Sequence, residues 1–214
     1  MEIAYTPHAP SSMALEYIQA TIPEWMRAEI RERIKAKKDK FNEKLVGHIK
    51  EEWGADLSSW KPWHDMIHEL MHAYDQNYPS YTTHLIEQIG EFRATLDDPW
   101  VNYMYKHEYN PVHQHSGLFS YVAWISIPYS LEDEAKNFPD INECNNGAFC
   151  FVSPSADGTT EHTIRVDKSY EWEIVLFRAR QQHCVYPFFT SDEPRISIAG
   201  NVILDDRVEK MMPS

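Results

Sequence analysis

The chain has 214 residues, of which 43% are hydrophobic and 13% aromatic, and its formal net charge is −13. This length and composition exclude an intrinsically disordered chain and fit one domain, or one domain with an appended region. The negative charge disfavours binding to a phosphate backbone, so nucleic acid is not an expected partner.

The first part of the chain, residues 1–98, shows the periodicity of helices. Three sets of apolar residues recur at helical spacings: Ile30, Ile34, Phe41, Leu45 and Ile49; Trp63, Ile67, Leu70, Met71 and Tyr74; and Leu85, Ile89, Phe92 and Leu96. Such stripes are typical of amphipathic helices that bury one face. We interpret the charged segment 35–44 as exposed helix. Residues 1–98 are therefore predicted to be a helical region that packs on the core of the protein.

From residue 99 to residue 214 the pattern changes to short runs of β-branched and aromatic residues. The runs are WVNYMY, LFSYVAWISI, GAFCFV, HTIRV, EIVLF, HCVYPF and RISIAGNVI. Runs of this length and composition are typical of β-strands. Because no helical pattern separates them, they predict an antiparallel sandwich or jelly roll, and the whole chain an α+β fold.

Two histidines, His113 and His115, stand one residue apart in the stretch NPVHQHSG. Residues at this spacing on a strand point to the same side, so both imidazoles can face one cavity. A metal site needs at least a third ligand. His183, which begins a later apolar strand, is the natural candidate because strand pairing can bring distant segments together.

A second pair, Arg195 and Ser197, also shares one face of a predicted strand. A guanidinium group beside a hydroxyl group is a good receptor for a carboxylate. The sequence therefore predicts one cavity that holds a metal ion and an organic acid anchored by Arg195.

Ordered motifs surround these residues over positions 100 to about 203. They are Trp100-Val-Asn102, Asn110-Pro-Val-His113-Gln-His115, Gly147-Ala-Phe-Cys-Phe151-Val-Ser-Pro154, His183-Cys-Val185-Tyr-Pro187 and Arg195-Ile-Ser-Ile198-Ala-Gly-Asn201. This order resembles the iron(II)/2-oxoglutarate-dependent oxygenases, and more closely a subgroup of them found in tailed phages and marine bacteria. The resemblance does not extend to the helical half of the chain.

The resemblance implies a double-stranded β-helix (jelly roll) and the cofactors Fe(II) and 2-oxoglutarate. It implies hydroxylation of an unidentified substrate, with release of succinate and CO₂. The implied metal ligands are His113, His115 and His183, and the implied cofactor-binding residues are Arg195, Ser197, Tyr103, Tyr105, Asn102 and Asn201. His115 stands where the larger family has a carboxylate. Either His115 is the third metal ligand, or it contacts the ligands without binding the metal and water is the third ligand.

Two other functions fit parts of the sequence. His68-Glu69-Leu-Met-His72 matches the HExxH motif of zinc hydrolases, in which Glu87 or Glu91 could supply the third ligand. However, His64, His68 and His72 recur every four residues beside an apolar stripe, which is typical of a packed helix. The third possibility is a jelly roll that binds a sugar or peptide without catalysis.

The three cysteines form no CxxC pair, and the N-terminus lacks the basic start and apolar run of a signal peptide. We therefore expect a reducing, cytoplasmic location, which would be the host cytoplasm if a phage encodes the protein. No membrane association is expected, because no apolar stretch reaches about 18 residues. The substrate and the oligomeric state cannot be read from the sequence.

Overall fold

The computed structural model describes residues 1–10, 15–90, 92–156 and 158–204. Within these ranges the strands are β1 (Tyr5–His8), β2 (Tyr17–Thr21), β3 (Glu51–Gly54), β4 (Ala94–Leu96), β5 (Trp100–Met104), β6 (Asn110–His113), β7 (Phe119–Ser126), β8 (Phe149–Ser155), β9 (Gly158–Ile164), β10 (Glu173–Arg178), β11 (His183–Val185) and β12 (Arg195–Leu204). The helices are α1 (Glu24–Lys35), α2 (Lys61–Asn77), α3 (Pro79–Ile89) and α4 (Leu131–Lys136).

The strands form two sheets whose described pairings are antiparallel. The larger sheet has the order β1-β2-β10-β7-β12-β5-β3, with β4 also paired to β12, and the smaller has the order β6-β11-β8-β9. A core rich in aromatic residues lies between the sheets and includes Trp124, Phe149, Phe151 and Phe177. Alternation of side chains along each strand buries one set of residues between the sheets and the other set on the outer face.

The outer face of the larger sheet is covered by α1, α2 and α3. The residues that α2 buries there are Trp63, Met66, Ile67, Leu70, Ala73 and Tyr74, which include most of the second predicted stripe. The indole N–H of Trp63 donates to the hydroxyl of Tyr121 on β7, at 3.3 Å. In the described part of the chain, no helix combines the length and the apolar character that a membrane span requires.

The first predicted stripe does not form one helix. Helix α1 ends at Lys35, and Lys37 has a positive φ of 33° that breaks the helical path. The backbone N–H of Phe41 then donates to the carbonyl of Glu52, at 2.8 Å, and the chain turns back beside β3. The prediction of continuous helix over residues 35–44 was therefore wrong, because pairing with a later strand replaced local helical hydrogen bonds. The third stripe is also divided, since α3 ends at Ile89 and Leu96 lies on β4.

Residues 1–98 also contribute four strands that the helical pattern did not predict. Strand β2 pairs with β10, and β3 pairs with β5, so the larger sheet draws on both halves of the chain. The helical description of residues 1–98 is thus incomplete, while their assignment as a domain separate from residues 99–214 stays a prediction. The sheet contribution places residues of the N-terminal half beside the candidate site.

Candidate metal centre

The pairing of β6 with β11 brings three histidines together. The Cα atoms of His113, the last residue of β6, and His183, the first of β11, are partners across the ladder. His115 follows β6, and its backbone N–H donates to the carbonyl of Ala179, at 2.9 Å. One ligand nitrogen from each ring lies within 4.8 Å of the other two. The three side chains could therefore hold one metal ion.

Backbone carbonyls orient two of these rings. The Nδ1 atom of His113 lies 2.7 Å from the carbonyl oxygen of Pro111, and the Nδ1 atom of His183 lies 2.9 Å from that of Gln181. A carbonyl oxygen only accepts hydrogen bonds, so each Nδ1 carries the proton and donates. The neutral rings therefore present the lone pair of Nε2, the arrangement that metal-binding histidines commonly show.

Burial keeps the three imidazoles uncharged. It lowers the pKa of His115 to about 4, with a further contribution from neighbouring His113. Burial also lowers the pKa of His113, although the Pro111 carbonyl opposes this change. The pKa of His183 falls well below its ordinary value, again mainly through burial. Neutral imidazoles are the form that binds metal ions, so no proton needs to be displaced near neutral pH.

A cavity of about 410 Å³ opens beside the three histidines. Its lining includes all three together with Arg195, Ser197, Asn102 and Asn201. Along β12, Arg195, Ser197 and Asn201 face this cavity, whereas Ile198 and Val202 pack under the helices. The period of two along one strand thus separates cavity-lining residues from core residues. The volume suits a small organic ligand.

Arg195 is buried, at 3% exposure, without a carboxylate partner among the described residues. Its Nη1 donates to the Tyr129 hydroxyl at 3.0 Å and to the Gly147 carbonyl at 2.6 Å, and Nη2 contacts the Met104 sulfur at 2.9 Å. Its Nε–H has no acceptor. A buried cation is costly unless an anion pairs with it. The Arg195 guanidinium group therefore lacks the negatively charged partner that its burial requires.

The other residues predicted to bind cofactor divide into two groups. Asn102 and Asn201 line the cavity, where the Asn102 amide donates to the Ser197 hydroxyl at 3.4 Å. Tyr103 and Tyr105 do not line it, because they alternate with Asn102 along the chain and lie on the opposite side. The Tyr103 hydroxyl instead donates to the carbonyl of Ile34 in α1, at 3.3 Å. The structure therefore does not bring these two tyrosines to the candidate site.

The sequence analysis missed two residues at the candidate site. Tyr129 accepts the hydrogen bond that positions Arg195, and it lies two residues after the predicted strand LFSYVAWISI. Glu52 lines the cavity, from β3. No local signal pointed to Glu52, because it lies in the part of the chain whose pattern is helical.

The HExxH motif does not gather metal ligands in the described part of the chain. Among those residues, His113, His115 and His183 form the one group of three or more potential ligands that lie close together. On α2, Glu69 forms an ion pair with the N-terminal amine at 3.6 Å, and His72 contacts the Gln76 amide at 3.0 Å. Glu87 is exposed, and Glu91 lies outside the described residues. The motif lies on a packed helix, as its periodicity indicated.

Glu52 provides a pH prediction of its own. It is 1% exposed, and burial, followed by repulsion from Glu108, raises its pKa from 4.5 to about 7. Between these values the Glu52 side chain binds more protons in the folded protein than in the unfolded chain. Its contribution to the free energy of unfolding should therefore fall as the pH rises from 5 to 8, by up to about 3 kcal/mol, whereas the lowered pKa values of the three buried histidines act in the opposite direction.

Urea unfolding at pH 5 and pH 8 measures this effect, with Glu52→Gln as the comparison. The variant cannot ionise at this position but keeps the histidines, so the difference in stability between the two proteins isolates Glu52. The stability of the variant relative to the native protein should rise from pH 5 to pH 8. An equal change with pH in both proteins would show that Glu52 does not contribute to it.

Both the sequence and the fold are similar to those of known proteins. Residues 98–201 match a family model described as "Putative 2OG-Fe(II) oxygenase". The structure is similar to a prolyl-4-hydroxylase from Pseudomonas putida, with a TM-score of 0.54, 13% identity, and coverage of 88% of this chain and 92% of that chain. It also matches a 2OG-Fe(II) oxygenase family oxidoreductase from Burkholderia pseudomallei, with a TM-score of 0.45, 11% identity, and coverage of 86% and 84%. No curated protein matches the sequence. The likeness to the Pseudomonas putida structure shows the fold and confirms the predicted α+β jelly roll.

Proposed function

We propose that this chain, whose residues 98–201 match the 2OG-Fe(II) oxygenase family, binds Fe(II) through His113, His115 and His183. The family match confirms the predicted oxidoreductase class and its cofactors, Fe(II) and 2-oxoglutarate. The observation that supports the ligand assignment is the set of three neutral imidazoles whose ligand atoms lie within 4.8 Å of one another. Nitrogen donors of this type suit ferrous iron.

Direct ligation by His115 is the version that we propose. Its ring centroid lies 5.0 Å from that of His113 and 5.2 Å from that of His183, so all three rings surround the same space. The site then has three neutral ligands instead of two histidines and one carboxylate. The bound ion would keep its full double positive charge, which favours an anionic co-substrate beside it.

Arg195 and Ser197 would hold the far carboxylate of 2-oxoglutarate. The unpartnered Nε–H of Arg195 and its lack of an anionic partner support this role. The Tyr129 hydroxyl and the Gly147 carbonyl fix the guanidinium group before the ligand arrives. The carboxylate would thus enter a site that is already organised, which reduces the entropy cost of binding. Asn102 and Asn201 would line the same part of the cavity.

The proposed reaction inserts one atom of O₂ into a C–H bond of the substrate. The other oxygen atom enters 2-oxoglutarate, which is oxidised to succinate and CO₂. Bound Fe(II) supplies the redox chemistry that O₂ activation requires. The residues of the chain would hold the co-substrate by its far carboxylate, and burial of the histidines keeps them neutral.

Succinate formation tests this function directly. Protein that is loaded with Fe(II) without oxygen and then exposed to air should convert 2-oxoglutarate to succinate, even slowly without its substrate. The same protein loaded with Zn(II), which has no redox chemistry, should form none. Iron-loaded protein that neither binds 2-oxoglutarate nor forms succinate would contradict the proposal.

The cellular setting belongs to the same proposal. The sequence has three cysteines, an odd number, and they form no CxxC pair. This pattern supports a reducing cytoplasm, which would be the host cytoplasm if a phage encodes the protein. The net charge of −13 supports a substrate other than nucleic acid.

A further inference from the structure

Polar side chains from three neighbouring strands form one wall of the cavity. Glu52 on β3 is the Cα partner of Asn102 on β5, and Asn102 is the partner of Ser197 on β12. All three line the cavity. The arrangement extends the polar wall from the proposed co-substrate anchor towards the N-terminal half of the chain.

Glu52 is an acid without a basic partner among the described residues. Its Oε2 accepts a hydrogen bond from the Asn42 amide, at 3.2 Å, and its backbone N–H donates to Asn42 Oδ1, at 3.3 Å. No ion pair involves it there, although its side chain is almost completely buried. Burying a carboxylate in this way is costly, and the cost falls when a cation binds beside it.

Other acceptors without partners lie near this carboxylate. The buried Oδ1 atoms of Asn102 and Asn110 have no hydrogen-bond donor. Gly47 allows the two acceptor side chains to approach its backbone closely, because a Cβ atom there would lie 2.2 Å from Asn110 Oδ1 and 3.1 Å from Glu52 Oε1. The absence of a side chain at position 47 therefore lets Glu52 and Asn110 lie beside each other, and these two residues form an acceptor group.

The cavity lining carries more negative than positive side chains. The lining includes three carboxylates, those of Glu52, Asp97 and Asp98. Arg195 is the only lysine or arginine among the lining residues, and the co-substrate would occupy it. An additional ligand therefore meets acceptors and negative charge, which favour a cation and disfavour an anion.

We propose that the substrate carries an ammonium or guanidinium group, which binds Glu52 and donates a further hydrogen bond to Asn110. Both groups have only hydrogen-bond donors, so they match the Glu52 carboxylate and the buried acceptor atoms beside it that lack a donor. The inference rests on the proposed function, because it assigns the substrate class of the same cavity. Glu52 is then a residue that determines specificity, and Gly47 allows Asn110 to lie beside it.

Binding measurements with matched probes test the inference. Protein loaded with Fe(II) and 2-oxoglutarate without oxygen is titrated with the Nα-acetyl amides of L-arginine and L-lysine, and with those of L-citrulline and L-norleucine, which carry no charge. The cations should bind roughly 10- to 100-fold more tightly, as expected for a buried charge pair. Glu52→Gln should remove this preference, whereas Glu87→Gln, which changes an exposed carboxylate on α3, should retain it.

A second variant, Gly47→Ala, keeps the charge of Glu52 and displaces the Asn110 side chain, because the added Cβ atom would overlap Asn110 Oδ1. It should also reduce cation binding, and circular dichroism should show that both variants remain folded. Equal binding of cations and neutral counterparts by the native protein would overturn the inference. So would an unchanged preference in folded Glu52→Gln protein.

Succinate formation by the native protein separates this inference from the proposed function. Succinate formation without any cation preference would remove the substrate assignment and leave the oxygenase activity in place. A cation preference without succinate formation would contradict the oxygenase function. It would still support cation binding by the acceptor group formed by Glu52 and Asn110.

Discussion

His183→Ala should abolish iron binding and succinate formation. The variant removes one of three nitrogen ligands and the ring that the Gln181 carbonyl orients. Loss of a residue that only orients a ligand typically costs 10- to 100-fold in metal affinity or activity, so loss of a ligand should exceed about 100-fold. Iron content after gel filtration and succinate formation from 2-oxoglutarate measure the two effects separately.

Two companion variants make the result specific. His68→Ala changes the HExxH motif on α2, away from the three-histidine group, and should leave both measurements unchanged. Loss of turnover in His68→Ala alone would instead favour the zinc hydrolase alternative. His115→Ala tests the third ligand: a loss as large as that of His183→Ala indicates direct ligation, and a smaller loss indicates a position behind the ligands.

Arg195→Gln should weaken 2-oxoglutarate binding more strongly than it affects iron binding. The variant removes the only lysine or arginine of the cavity lining and keeps a shorter, uncharged polar side chain. Truncating one partner of a buried charge pair costs about 2–5 kcal/mol, which corresponds to roughly 30-fold or more in affinity. Calorimetric titration of 2-oxoglutarate into the metal-loaded variant measures the change.

Arg195→Lys serves as the matched control for this experiment. Lysine keeps the positive charge but loses the planar fork that contacts Tyr129 and Gly147, so its affinity should fall between those of the native protein and Arg195→Gln. Normal 2-oxoglutarate affinity in folded Arg195→Gln protein would contradict the carboxylate-binding role. Unchanged iron content in both variants would show that the effect concerns the co-substrate and not the metal.

The C-terminal strands were predictable because their signals are local. The run RISIAGNVI became β12, and its alternation placed Arg195 and Ser197 on one face, as expected. Tyr103 and Tyr105 do not line the cavity, although they were expected to bind the cofactor. Which face of β5 meets the cavity depends on how the whole sheet packs.

The N-terminal half shows why periodicity alone was insufficient. The apolar residues of α2 recur three or four positions apart, within about one helical turn, so this helix was recognisable from residue spacing. Strands β2 and β3 are short, and they are stabilised by pairing with β10 and β5, which are distant in the sequence. Such pairing overrides weak local propensity, so the position of Glu52 on a cavity-facing strand could not be anticipated.

The sequence by itself determined the types, order and spacing of the residues at the candidate site: His113 and His115, then His183, then Arg195 and Ser197. These features follow from local strand geometry and side-chain chemistry. Tertiary structure alone decided the pairing of β6 with β11, the contacts that hold Arg195, and the presence of Glu52 in the cavity. These depend on hydrogen bonds and packing between segments far apart in the chain, whose register no local pattern specifies.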